Sequence, residues 1–139
     1  MKRKTITILF VLYCALMLWL LLFQRIGQGV WVSPQLKPMS TITGYIRVLK
    51  HSKDTAHLLD AWKNLLGNLV MFVPLGFFVP YLWEKVRSFG KHLLTMAVII
   101  TAVELLQYVA ALGTCDVDDL ILNLLGTSVG WLLWKFLWK

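Results

Sequence analysis

The sequence predicts an all-α integral membrane protein, a bundle of four spanning helices. Hydrophobic residues make up 58% of the 139 and charged ones only 15%, with a mean hydropathy of +0.69, far more apolar than a soluble domain of this length. Four segments, near 5–23, 65–83, 93–112 and 120–138, reach the roughly 20 apolar residues that a helix needs to cross about 30 Å of hydrocarbon. Their runs are continuous rather than alternating, which favours helices over the strands of a closed barrel. The length suits one unit over 1–139 with no separate soluble domain.

The first segment follows MKRKT and has the basic start of a secretory signal. Its apolar core exceeds the usual 7–15 residues and FQRIGQG offers no small-residue cleavage site, so a retained signal anchor is expected. The connector 24–64 splits in character. VWVSPQLKPMSTITGY, with its prolines and small polar residues, reads as irregular. IRVLKHSKDTAHLLDAWK sets Ile46, Leu49, Leu58, Leu59 and Trp62 among charges, and reads either as a short amphipathic surface helix or as a solvated loop. The second span holds Pro74, Gly76 and Pro80. Pro74 cannot donate to the Val70 carbonyl, one turn earlier and near Asn68, so a kink here is either architectural or opens a polar pocket. NLLG recurs at 64–67 and 123–126, at the start of the second and fourth spans, a weak sign of two repeated hairpins.

Lysine and arginine set the expected orientation. Lys2, Arg3 and Lys4, then Lys85, Arg87 and Lys91, then Lys135 and Lys139 cluster at one side, which places both termini in the cytoplasm. Arg25, Lys37, Arg47, Lys50, Lys53 and Lys63 fall outside, diluted over a long connector, and so does the acidic turn at Asp116–Asp119. The net charge of +7 therefore reads as topology and contact with anionic lipid heads, not as nucleic-acid binding. Cys14 lies mid-span and Cys115 in an outer turn, too far apart in depth to pair. Trp19, Trp62, Trp83, Trp134 and Trp138 lie mostly near span ends, as interfacial aromatics do. His51, His57 and His92 sit in connectors or at a helix end, with no ligand spacing.

The chemistry concentrates in ELLQYVAALGTCDVDDLILNLLG. Glu104 lies about 17 Å into its span, where a carboxylate costs about 2.5–3.5 kcal/mol on insertion scales and must face protein or water. Gln107 and Thr101 lie three residues to either side, on the same face. Asp116, Asp119, Asn123, Gly126 and Gly130 form one stripe on the fourth span, polar in its outer half and small in its inner half. Asn64, Gly67, Asn68 and Met71 form another on the second. Three polar stripes are thus expected to line a shared site open to the outer surface. Each member also has a structural reading. Asp116 or Asp118 caps the fourth helix, and Asp119 suits its dipole. Asn68 and Asn123 join helices. Glu104 bonds Gln107 or Asn123. The DVDD run lacks a calcium-loop pattern, and neither a metal nor a cofactor is expected.

In these residues the chain resembles the VanZ-like family of small bacterial membrane proteins. NLLGNLVMFVPLGFFVPYL, ELLQ, DVDDLILNLLG and Gly130 stand in the family's order, and KPMSTITGYI is similar to its Pro-aromatic-x-Thr-Ile segment, with Met39 where Phe is usual. The resemblance covers residues 36–134. It implies signature roles for Asn68, Pro74, Gly76, Glu104, Gln107, Asp116, Asp119, Asn123 and Gly126. The family's usual turn arginine is absent, the turn reading Ala111-Leu112-Gly113. The resemblance further implies a bacterial plasma membrane protein linked, through the family's namesake, to resistance to the lipoglycopeptide teicoplanin.

Four functions follow as expectations, the last an assembly partner for a larger complex that uses the small-residue stripe of the fourth span as its interface. The first is binding or modification of an amphipathic envelope ligand at the outer leaflet, such as an anionic lipid, a lipid-linked wall precursor or a lipoglycopeptide. Asn68, Gln107, Asp116, Asn123, Gly126, Arg47 and Lys50 would contact it. The second is an intramembrane enzyme acting on a lipid or wall precursor, with Glu104 and Asp119 as acid and base. The third is a small proton-coupled carrier loaded at Glu104. Membrane lipids are the expected partners, and a homo-oligomer stays open.

Overall fold

A computed structural model of the chain describes residues 3–22 and 33–138. Met1 and Lys2, the stretch 23–32 that contains Arg25 and the whole FQRIGQG sequence, and Lys139 lie outside the described residues. The regular elements are α1 (Arg3–Leu21), α2 (Ser40–His51), α3 (Thr55–Leu82), α4 (Phe89–Val109) and α5 (Val117–Trp138), with a 3-10 turn at Glu84–Val86. Every one except α2 and that short turn is long and apolar enough to cross a membrane, as the sequence predicts. The bundle has an acidic end, where α2 meets the turn between α4 and α5, and a basic end, where α1 begins and α5 finishes.

Two differences from the sequence reading concern the connector. Ser40 to Tyr45, read as irregular, form the first turns of α2. The helix is amphipathic, with Ile42 buried and Arg47 and Lys50 exposed. In addition, α3 begins at Thr55, ten residues before the predicted span. Asp54 caps it by accepting the Ala56 N–H at 2.9 Å, and TAHLLDAWKN contains no glycine or proline to stop it. At 28 residues α3 is about 42 Å long, so one end projects beyond the about 30 Å of a hydrocarbon layer. It continues through Pro74 and Pro80. Near Pro74, the Tyr13 hydroxyl of α1 donates to the Met71 carbonyl at 2.6 Å and ties α1 to α3.

The close of α4 is a Schellman motif. Leu112 N–H returns to the Gln107 carbonyl at 2.7 Å, and Ala111 N–H to the Tyr108 carbonyl at 3.0 Å. Ala111 takes the left-handed conformation this requires, φ 54°, at a position where glycine is the usual residue. The turn lacking the family's arginine is thus a closed helix terminus.

The largest helix interface joins α3 to α5, and glycine makes it. A methyl group at Gly126 would stand 2.1 Å from the Leu69 carbonyl oxygen. One at Gly130 would stand 2.0 Å from that of Val73, and one at Gly76 2.0 Å from that of Thr127. Backbones that approach this closely gain dispersion and Cα–H···O contacts, the main attractions between helices in lipid. The first NLLG copy has no such neighbour: Gly67 faces open space and Asn64 is exposed, whereas Gly126 and Asn123 are buried. The two copies therefore share sequence but not packing. Elsewhere α1 lies on α3 through Phe10 and Tyr13 against Phe78, and Met17, Phe72, Val79, Met96 and Ile100 fill the core between α1, α3 and α4.

Candidate functional site

Asp118 organises the acidic end. It is fully buried, and its carboxylate accepts three backbone N–H groups from across the chain: Met39 at 2.5 Å on Oδ1, Thr41 at 2.7 Å and Ile42 at 3.0 Å on Oδ2. These are the orphan donors at the start of α2, whose own N-cap residue, Met39, has no side chain to satisfy them and sits at φ 64°. A residue in the first turn of α5 thus caps a different helix. Asp116 caps α5 itself, accepting the Asp118 N–H at 2.8 Å on Oδ1, and takes the Thr41 hydroxyl at 2.7 Å on Oδ2. Gln35 completes the join: its N–H donates to the Cys115 carbonyl and its carbonyl accepts from Val117 N–H. Residues 35–42 consequently wrap the start of α5.

Beside this clasp, Asp119 Oδ1 accepts the Asn68 amide at 2.5 Å, joining α5 to α3 as the two stripes predict. Tyr45 of α2 faces the same group. Burial raises its hydroxyl above the usual tyrosine range, and the charges of Asp119, Asp116 and Asp60 act in the same direction, so the phenol stays neutral. Thr41 and Tyr45 of α2 thus lie over a polar layer of Asn68, Asp116 and Asp119.

The third stripe is divided. Glu104 is half-buried on α4 and its charge reaches Cys115 in the turn. Gln107 is buried but donates to the Leu21 carbonyl at 2.8 Å, completing the C-terminus of α1, and Thr101 is exposed. Residues three apart on a helix differ by about 60° in direction, enough for one to face the turn and the other a separate neighbour. Asn123 is buried one turn below Asp119, its Oδ1 without a partner among the described residues, and Gly126 is committed to the α3 contact. Arg47 and Lys50 stay exposed on the outer face of α2. Among the described residues no three His, Cys, Asp or Glu side chains are grouped to hold a metal ion.

From the sequence alone Asp118 has only the role of capping its own helix, Thr41 appears only within the segment similar to the family's Pro-aromatic-x-Thr-Ile, and Tyr45 has no site role. A signal was present: a helix that starts after Pro38 with methionine at its N-cap needs an acceptor from elsewhere.

The chain matches the VanZ/LLP1 family over residues 10–138, which takes in α2 to α5 and most of α1. It belongs to the VanZ/LLP1 family. Protein VanZ of Enterococcus faecium is 24% identical to it over 122 residues, 88% of this chain and 68% of that protein. No solved structure matches. In this VanZ/LLP1 member the matched region contains both the clasp formed by Asp116 and Asp118 and the Asn68–Asp119 pair.

Cys115 reports on this site. Burial lifts its thiol above the ordinary range, and the charges of Glu104 and Asp116 push the same way. The thiolate is the reactive form, so in a Cys14→Ser background maleimide labelling of Cys115 at neutral pH should be slower than that of a free thiol. Glu104→Gln removes a negative neighbour and should shift the labelling-versus-pH curve downward, speeding the reaction at fixed pH. An unmoved curve would place Glu104 away from the turn.

Proposed function

We propose that this VanZ/LLP1 chain works in the bacterial plasma membrane, with both termini cytoplasmic and the acidic end outside. There α2 and the polar layer beneath it engage an amphipathic, anionic envelope ligand, and this binding contributes to resistance to lipoglycopeptides of the teicoplanin type. Family membership supports the resistance role. The observation that carries the ligand reading is α2 itself. It is an amphipathic helix held at its N-terminus by a buried carboxylate, and it presents Arg47 and Lys50, one turn apart, to its surroundings. A basic face fixed in this way loses little freedom on binding an anion.

Reversing that face tests the proposal. Arg47→Glu with Lys50→Glu leaves the three amides bound to Asp118 untouched, so the fold should persist. Cells expressing the double variant should become several-fold more susceptible to teicoplanin, and proteoliposomes carrying it should retain less fluorescent teicoplanin than wild type. Equal susceptibility and retention in the two proteins would remove α2 from the binding site.

A further inference from the structure

At the opposite, basic end the helices enclose a half-open cavity of about 770 Å³. It lies where α1 and α4 begin and α3 and α5 finish, the depth at which a spanning bundle meets lipid head groups. Arg3, Arg87 and Lys135 line it against a single carboxylate, Glu84, and the indoles of Trp131 and Trp134 form part of its wall. The two indole rings already carry cations: Lys135 Nζ stands 5.0 Å from the Trp131 ring centre and Arg87 Cζ 5.8 Å from that of Trp134. The site is therefore unsuited to choline or another quaternary ammonium group, since the aromatic faces that would receive it are occupied by like charge.

The guanidinium groups are held in place by the fold. Arg3 donates one N–H to the Leu82 carbonyl at 3.2 Å. Arg87 donates Nε–H to the Pro80 carbonyl at 3.2 Å and pairs with Glu84 at 3.2 Å. The Trp131 indole in turn donates to the Arg87 carbonyl at 3.0 Å. A guanidinium has five N–H donors, so each arginine retains some for a ligand, and Lys135 has three. Fixed donors of one sign at the mouth of a cavity favour a phosphate, which guanidinium binds in two-pronged fashion. The cavity is far larger than a phosphate ion and falls within the range of ligand pockets, leaving room for a glycerol head.

We propose that this cavity holds the phosphate head group of an anionic glycerophospholipid from the surrounding leaflet. It is a lipid site separate from the acidic end and from any ligand bound there.

The test uses the full chain purified from nanodiscs of phosphatidylcholine, with or without phosphatidylglycerol, and counts retained lipid by native mass spectrometry. Wild type should keep phosphatidylglycerol and not phosphatidylcholine. Lys135→Gln should lower retention about fivefold, the effect of one cation near an anionic surface. Lys135→Arg should restore it, and Lys85→Gln with Lys91→Gln, at the same end but outside the cavity, should change nothing. Equal losses for the Lys85/Lys91 pair would mean diffuse attraction and overturn the proposal, as would unchanged retention in Lys135→Gln. Displacement of the lipid by inorganic phosphate would make this a soluble-anion site and overturn it too. Arg3→Gln, in a residue exposed overall although its guanidinium reaches the Leu82 carbonyl, should lower retention likewise, and unchanged retention in it would overturn the proposal.

Discussion

Gly130→Leu should abolish the native bundle. The carbonyl oxygen of Val73 lies 2.0 Å from where the first added carbon would stand, with Phe77 N and Gly76 C inside 3 Å. All three are backbone atoms, so no rotamer change relieves the overlap and the two helices must separate by more than an ångström. Overpacking against yielding side chains costs about 1–3 kcal/mol. Here the separation also spoils the contacts at Gly126, one turn earlier on α5, and at Gly76, which faces Gly130 across the seam, and a loss above about 3 kcal/mol is expected, a hundredfold or more in folded population. Gly126→Leu should behave alike. Gly44→Ala and Gly67→Ala make the control, since nothing lies within 4 Å of either added methyl and alanine is the better helix former by up to about 1 kcal/mol. Thermal unfolding in detergent, followed by tryptophan fluorescence, should separate the two classes. A Gly130→Leu melt that overlays wild type would show that α3 and α5 do not meet as described.

Asp118→Ala should release α2. The substitution removes a fully buried carboxylate and leaves three N–H groups, of Met39, Thr41 and Ile42, without an acceptor. Hydrogen bonds to a charged group contribute about 1.5–3 kcal/mol each, and part of the loss is recovered as water reaches the freed amides. A net cost of about 3 kcal/mol or more is expected. Asp118→Asn keeps one acceptor oxygen and should fall between. Asp54→Ala, which loses an exposed cap with one such bond, should cost only about 1 kcal/mol. Hydrogen exchange gives the local reading: the Thr41 and Ile42 amides should lose protection in Asp118→Ala while the α3–α5 seam keeps its own. Retained protection at Thr41 would mean that another group caps α2.

Hydropathy is a property of consecutive residues, so the four spans were legible without knowledge of their neighbours. That Asn68 and Asp119 lie on facing stripes is legible too, from helical spacing, whereas their pairing with each other is seen only in the fold. The capping role of Asp116 follows from its position just before an apolar run. The missing parts depend on pairing across the chain. The start of α2 was hidden because its acceptor lies 76 to 79 residues away. Gln107 reads as part of the polar site because a helical stripe does not reveal which neighbour each residue meets, and α1 claims it. At the basic end Trp134 and Trp138 read singly as interfacial anchors and Trp131 carries no reading, and only the fold shows Trp131 and Trp134 sharing a wall with Arg3, Arg87 and Lys135.

Because Asp118 is made late in synthesis and the amides it binds are made early, the surface helix waits on the final hairpin. While the ribosome is still building the third and fourth spans, residues 39–42 have no native acceptor, and only the arrival of α5 gives them one. The span that begins at Val117 is thus the latch that shuts α2, and a nascent chain stalled before Asp118 holds that segment still unfastened.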